Sequence, residues 1–281
     1  MNFAEYSTYW TDTILTMKKP ASQASMKSHI RRAVRSFGDF DLSELTESAV
    51  QKHIFETSKE LSPKSLQSYW GTIRLVLSRA RKEGLILAVP EPELPKIFKT
   101  KQPCFTAEEM KKVIQNSDGQ YKLLFHLLSE TGVRAGEAFA LKPSDIDFEK
   151  ETLNITRSVF NGKIQDPKTE NAVRTISISG RLAGWCADSN RDYLFGATRT
   201  ENPSVSKSLA VLHRNLNEVG LSKTGFHAFR RGNATLQAEI GVPEYIIRMR
   251  LGHSGGVTAG YIQVPTGADK EWAEKIAEKL C

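Results

Sequence analysis

The chain has 281 residues, with 40% hydrophobic and 25% charged side chains and a formal net charge of +7. No apolar run is long enough to span a bilayer, MNFAEYSTYW lacks the basic and apolar regions of a secretory signal, and three widely spaced cysteines make no disulfide framework. This leaves a soluble chain of the reducing cytoplasm, long enough for two domains, whose basic excess favours a polyanionic partner.

The N-terminal part reads as helical. In ASMKSHIRRAVRSF, Met26, Ile30, Ala33, Val34 and Phe37 recur at helical intervals, and Lys27, Arg31, Arg32 and Arg35 take the remaining face. SPKSLQSYWGTIRLVLSRARKEG is the clearest helix, with Ser62 as N-cap, Pro63 as first residue and Gly84 as the stop behind a basic last turn. Its Leu66, Tyr69, Trp70, Ile73 and Leu77 are predicted to face the core. Lys64, Arg74, Arg81 and Lys82 are left for phosphate or, equally, for water. AVPEPELPKIFKTKQP then carries Pro90, Pro92, Pro95 and Pro103, which block helix and favour an extended tether. The expected division is a helical domain over 1–88, a Pro-rich linker over 89–104 and a second domain over 105–281.

The second domain opens at TAEEMKKVIQ, where Thr106 and Glu109 have capping-box spacing. YKLLFHLLSETG is a strongly apolar helix closed at Gly132, and His126 within it reads as a core histidine. From Leu153 to Ser179 strand and turn signals alternate. Asn161-Gly162 among them is a type I′ hairpin signal. Helical patterns resume at SKSLAVLHRNLNEVGL, with Leu209, Leu212, Leu216 and Val219 inward and His213 towards solvent. The chain is therefore expected to be mainly α with a small antiparallel sheet, an α+β arrangement.

Several chemistries lack their residues. There is no C-x-x-C, H-E-x-x-H, G-x-x-x-x-G-K-[ST] or G-x-S-x-G, so neither a metal nor a nucleotide or other cofactor is specified. Four islands instead place a cation beside a turn or a helix start. In TGVRAGEAFAL, Gly132 closes one helix and Arg134 stands where the next begins, an arrangement suited to an oxyanion. Glu137, three residues on, shares its face, and a purely structural Arg134–Glu137 pair is an equal reading. FHAFRRG puts His227 and Arg230 on one helix face, with Phe226 and Phe229 as anchors and Arg231 close to the same face. Lys168 sits beside a turn in QDPKTENAVR. PEYIIRMRLGH reads as a short helix ending at Gly252, which leaves His253 just beyond it and Tyr261 eight residues further on.

TGVRAGE, the strand lysine, H-A-F-R and LGH…T-A-G-Y, in that order, resemble the catalytic domain of the tyrosine recombinases, the phage-type integrases. The resemblance covers roughly Thr106 to Cys281, and the helical first domain is similar to that family's core-type DNA-binding domain. It implies that Arg134 and Arg230 grip the scissile phosphate, that Lys168 protonates the leaving oxygen, and that Glu137 supports the arginines. His227 matches the family's first histidine, His253 the position that is histidine or tryptophan, and Tyr261 the nucleophile. The chemistry fits: a phosphodiester gains negative charge as a nucleophile adds, and two arginines can hold its oxygens. A tyrosine hydroxyl, with a free pKa of about 10, needs a base or a strongly positive field. His227 is the expected base, with His253 on the phosphate.

The chain departs from the family pattern in three places. The interval from His253 to Tyr261 is one residue short, Gly255-Gly256 replace small polar and aliphatic residues, and Gln263 stands where a histidine is common. The implied activity is site-specific recombination of duplex DNA by a tetrameric assembly, through a 3′-phosphotyrosyl bond. Lys27, Arg31, Arg35, Lys64, Arg74 and Arg81 are the candidate DNA contacts. A DNA-binding regulator of the same fold that no longer cleaves, and topoisomerase IB-like relaxation, remain the alternatives. GADKEWAEKIAEKLC forms an amphipathic helix with Trp272, Ile276 and Leu280 on one face; the resemblance suggests that it docks on a neighbouring protomer, and packing in cis is the other reading.

Overall fold

Phe3, Tyr6 and Trp10 recur at helical spacing behind Asn2, whose side chain accepts from Glu5 N–H at 2.8 Å while the Glu5 carboxylate accepts from Asn2 N–H at 3.0 Å. This capping box starts α1 (Phe3–Thr13), an element that the sequence reading did not single out. The computed structural model describes residues 1–98, 102–165, 173–187, 192–195, 204–252 and 266–281, which fall into two units, Met1–Thr100 and Lys101–Cys281.

In the first unit α1 is followed by α2 (Pro20–Phe37), α3 (Glu47–Ser58) and α4 (Pro63–Lys82). Ser62 caps α4 by accepting from Ser65 N–H at 3.3 Å, Pro63 is its first residue, and Gly84 turns the chain at φ +76°. Leu66, Tyr69, Trp70, Ile73 and Leu77 are all buried, as the periodicity predicts, against Phe3, Tyr6 and Trp10 of α1 and Ile30, Ala33 and Phe37 of α2. The Pro-rich segment does not hang free. Glu93 exchanges hydrogen bonds with Gln51 (2.7 and 3.3 Å), Gln67 donates to the Pro95 carbonyl at 3.4 Å, and Val89 and Leu94 pack on the first core.

The second unit runs through α5 (Ala107–Gln115), α6 (Gly119–Thr131), the single turn α7 (Ala135–Ala138) and strands β1 (Ile146–Asp147), β2 (Thr152–Ile155), β3 (Ser158–Phe160), β4 (Lys163–Gln165) and β5 (Arg174–Ser177). The helices α8 (Gly180–Ala187), α9 (Val205–Glu218), α10 (His227–Glu239), α11 (Glu244–Leu251) and α12 (Lys270–Leu280) follow. The Thr106–Glu109 capping box is present, and α6 ends in left-handed Gly132 (φ +63°). Phe125 and Leu128 of α6, Met110 of α5 and Phe229 of α10 centre the core.

Among the described residues the strands do not form the single sheet expected from Leu153 to Ser179. One sheet has the order β1-β2-β5, pairing Thr152 with Ser177 and Ile155 with Arg174, and includes β1, which had not been anticipated. The other is the β3–β4 hairpin about Asn161 (φ 50°) and Gly162 (φ 75°), the two left-handed residues that a type I′ turn requires. The break falls at Arg157, whose guanidinium is drawn back to the Ala140 carbonyl (3.0 Å) and the Asp145 carboxylate.

The C-terminal helix lies in cis. Ala273, Ile276, Ala277 and Leu280 of α12 are buried, Ile276 and Leu280 as part of the unit's own core, whereas Trp272 is half-exposed beneath Lys275. The inward stripe is therefore rotated from the expected Trp272–Ile276–Leu280, because the alanines let the helix sit close to α5 and α6.

Candidate active site

Arg134 is the N-cap of α7. Glu137 accepts its backbone N–H at 2.9 Å and its guanidinium Nη1 at 2.7 Å, so one carboxylate fixes both ends of the residue. Glu137 is buried, yet 39% of the Arg134 side chain remains exposed. The expected pair is present, with the cation facing outward.

Arg230, in the first turn of α10, is buried and differs from its neighbour Arg231. Arg230 donates through Nη1 to the Gly132 carbonyl at 2.8 Å and through Nη2 to the Leu251 carbonyl, whereas Arg231 reaches the Pro103 carbonyl at 2.9 Å. Helix spacing did not separate these two arginines; their partners do. Burial, then the nearby charge of Arg134, pushes the Arg230 pKa down to about 10, so it stays cationic at neutral pH. His227, one turn earlier on α10, is exposed at the helix start. Partial desolvation, then Arg231, Arg230 and Arg134, hold its pKa below the usual imidazole value, with Glu137 opposing. It is thereby neutral near pH 7, the state a proton acceptor needs.

A third arginine, which the sequence reading missed, completes the cluster. Arg174 of β5 donates through Nη2 to Glu137 Oε2 at 3.0 Å and through Nε to the Arg250 carbonyl at 2.7 Å, with 4% of its side chain exposed. Burial alone would raise the Glu137 pKa. The charge and hydrogen bond of Arg174, with those of Arg134, hold it below the ordinary carboxylate value instead. A signal was available: in β5, Arg174 is in phase with buried Ile176, and an inward-facing cation needs a partner. Three guanidiniums around one carboxylate leave an excess of positive charge, which suits the site to an anion.

Arg250 and Glu130 support this cluster from behind. Arg250, wholly buried and in phase with Ile246 on α11, pairs with Asp269 and donates to the Ser177 carbonyl at 3.0 Å. Glu130 accepts the Ser179 N–H (2.7 Å) and hydroxyl (2.9 Å), with His126 Nε2 at 3.2 Å; His126 is a core residue, and its Nδ1 has no hydrogen-bond partner among the described residues. Arg134, Glu137, His227 and Arg230 are thus brought together, while Lys168, His253 and Tyr261 lie outside the described residues.

In the first unit Lys27, Arg31 and Arg35 follow one another at four-residue intervals on α2 and are exposed. They line one wall of an open groove of about 450 Å³, faced by Thr8, Thr11 and Asp12 of α1. Arg32, by contrast, is held at 2.6 Å by Glu60. Lys64, Arg74 and Arg81 are exposed on α4, Arg74 lying 3.5 Å from Glu91. No described helix is long and apolar enough to cross a membrane.

An arginine cluster keyed to one carboxylate at a helix start, in a mainly helical unit with small antiparallel sheets, defines an anion-gripping site of the kind that phosphoryl-transfer chemistry uses. Residues 103–264 match the phage integrase family. The chain is 26% identical to the tyrosine recombinase XerC-like protein of Caldanaerobacter subterraneus subsp. tengcongensis, the alignment covering 88% of this chain and 74% of that protein. It is 30% identical to tyrosine recombinase XerA of Pyrococcus horikoshii, over 75% of this chain and 74% of that one. Its fold is similar to that of lambda integrase in a tetramer bound to a Holliday junction (TM-score 0.69, 19% identity, 92% of this chain and 79% of that one). The chain belongs to the phage integrase family, the tyrosine-type site-specific recombinases.

Proposed function

We propose that this recombinase acts in the cytoplasm on a specific duplex DNA site, cleaving and rejoining strands through a covalent 3′-phosphotyrosyl intermediate within a tetramer on DNA. The observation that carries the reading is the convergence of Arg134 and Arg230, fixed from separate elements by Glu137 and by the Gly132 and Leu251 carbonyls. Such fixed donors need no reorganisation as negative charge develops on a phosphate. Arg134 and Arg230 hold the non-bridging oxygens, Glu137 sets Arg134, and neutral His227 accepts the proton of the attacking hydroxyl. Sequence position assigns that hydroxyl to Tyr261, the phosphate contact to His253 and the acid for the 5′ leaving oxygen to Lys168. The bond energy is kept in the phosphotyrosyl ester, so another 5′-hydroxyl reverses the step without ATP.

The helical domain, over about residues 1–88, grips the same duplex through Lys27, Arg31 and Arg35 of α2 and Lys64, Arg74 and Arg81 of α4, phosphate contacts that add affinity and salt dependence. The test uses nicked suicide duplexes tiled across the DNA flanking the gene. A covalent adduct formed by the wild-type chain and lost in Tyr261→Phe supports the reading. Specific binding without any adduct points to the silent regulator, and relaxed circles without recombinant junctions point to topoisomerase-like action. Lys168→Ala slows cleavage, and a 5′-bridging phosphorothioate restores it because sulfur leaves unprotonated; failure of that rescue removes Lys168 from the acid role.

A further inference from the structure

The carbonyls in the last turn of any helix lack intrahelical partners. In α11 two of them, on Arg250 and Leu251, are taken by side chains from other elements: Arg174 of β5 and Arg230 of α10. Arg174 is the more unusual of the two. Its guanidinium is buried and, among the described residues, donates both to the Arg250 carbonyl and to Glu137, the carboxylate that also holds Arg134 by backbone and side chain. A buried guanidinium carries a desolvation cost that an apolar residue would avoid, and a single rigid fork is what lets one side chain reach two acceptors in fixed directions.

We propose that Arg174 is a positioning residue for strand transfer, coupling the Arg134–Glu137 pair to the C-terminal end of α11. It acts through the two acceptors it bridges, Glu137 and the Arg250 carbonyl. It sets the distance between the arginine that meets the phosphate and the helix end from which the chain continues, in sequence, to His253 and Tyr261. Arg230 grips the neighbouring carbonyl, so the same helix end is keyed twice to the phosphate-binding cluster. The inference rests on the recombinase reading above.

The deciding experiment uses full-length chains and a suicide duplex that traps the wild-type enzyme. In Arg174→Met, single-turnover cleavage at saturating duplex falls by about 100-fold, the scale of a displacement of about 1 Å at reacting groups. Kd for the duplex stays within about threefold. Without Arg174 the Glu137 carboxylate protonates at higher pH, so the cleavage profile of Arg174→Met acquires an acidic limb, which Glu137→Gln in the same chain removes. Amide exchange at residues 248–252 rises, while that of α5 and α6 does not. Cleavage by folded Arg174→Met within about threefold of wild type, with an unchanged pH profile, overturns the proposal. Should Arg174→Met not fold, Arg174→Lys decides: it keeps a charge for Glu137 but cannot span both acceptors. Its slowing by about tenfold or more at unchanged Kd supports the proposal, and a wild-type rate overturns it. If the wild-type chain traps no duplex, the recombinase reading fails first and the inference with it, an outcome distinct from a fast Arg174 variant.

Discussion

Arg250 and Asp269 form an ion pair whose side chains are 0% and 1% exposed. Asp269 also accepts the Ser177 N–H at 3.0 Å and the Ser177 hydroxyl at 2.8 Å, so one carboxylate ties the end of α11 and the edge of β5 to the start of α12. The attraction within such a pair roughly offsets its desolvation. Removing one partner does not, because it leaves a bare charge inside the protein.

Asp269→Ala is accordingly expected to cost about 3–5 kcal/mol of unfolding free energy. Arg250→Met in the same chain recovers much of that loss by removing the stranded charge. Urea denaturation of the two variants measures both effects. A double variant no more stable than Asp269→Ala would locate the cost in the Ser177 bonds instead.

The two site arginines differ in what they hold. Arg134→Ala removes a partly exposed side chain and is expected to leave unfolding almost unchanged while lowering cleavage by about 10³-fold. Arg230→Ala lowers cleavage at least as much, and it also leaves the Gly132 and Leu251 carbonyls without their donor, at about 1–3 kcal/mol each. Duplex binding by gel shift is largely retained in both. Equal losses of binding and cleavage in Arg134→Ala would make that arginine structural.

Gly132 is required by backbone and by space. At φ +63° a side chain is strained, and a Cβ would lie 2.4 Å from Asn233 Oδ1 and 2.7 Å from Leu251 Cδ2. Gly132→Ala should lower stability by more than the roughly 1–2 kcal/mol of the left-handed conformation alone, and cleavage with it, because the Gly132 carbonyl is an Arg230 partner. A thermal shift assay checks the first effect. A melting temperature equal to wild type would show that the α6–α7 turn can be remade without glycine.

The first unit should lose stability in mild acid. His53 Nε2 lies 2.6 Å from the Tyr69 hydroxyl and His29 Nδ1 2.8 Å from Thr72 Oγ1, and burial, then Arg32, holds both imidazole pKa values below 6.5. The unfolded chain therefore binds protons first as pH falls below about 6.5, and stability drops until the folded-state values are reached. Denaturation followed through Trp10 and Trp70 at pH 7.5 and 5.5 reads this. His29→Gln with His53→Gln should flatten the difference, and an undiminished slope would assign it to other groups.

Truncation after Lys270 should do more than uncouple an assembly. Ile276 and Leu280 belong to the core of their own unit, so Leu280→Ala alone is expected to cost about 2–5 kcal/mol. Equilibrium denaturation of the single variant gives this directly. A loss below about 0.5 kcal/mol would mean that α12 is not held in cis in solution.

Much of the scaffold was legible beforehand. Ser62, Pro63 and Gly84 bound α4 where cap chemistry puts them, Thr106 and Glu109 start α5, and Asn161-Gly162 makes the hairpin turn. Arg134, Glu137, His227 and Arg230 stood out because each sits at a turn or helix start. Arg174, Arg250 and Asp269 did not, though the phase of the first two with buried Ile176 and Ile246 marked them as inward-facing cations. The single expected sheet became two because Arg157 finds its acceptors on Ala140 and Asp145, a pairing that strand alternation does not contain.

The sequence by itself determined where α4 and α5 begin, where the β3–β4 hairpin turns, which face of α4 is apolar, and the order of the recombinase-like motifs, since these follow from local caps, turn residues and a period of 3.6 residues. Only the tertiary structure decided that Glu137 serves Arg134 and Arg174 together, that Arg230 is held by the Gly132 and Leu251 carbonyls while Arg231 reaches Pro103, and that α12 closes on its own unit. A local pattern states that a buried charge needs a partner. Which partner it meets depends on residues distant in sequence, here Arg174 with Glu137 and Arg230 with Gly132 and Leu251, and only the packed fold brings those within hydrogen-bonding reach.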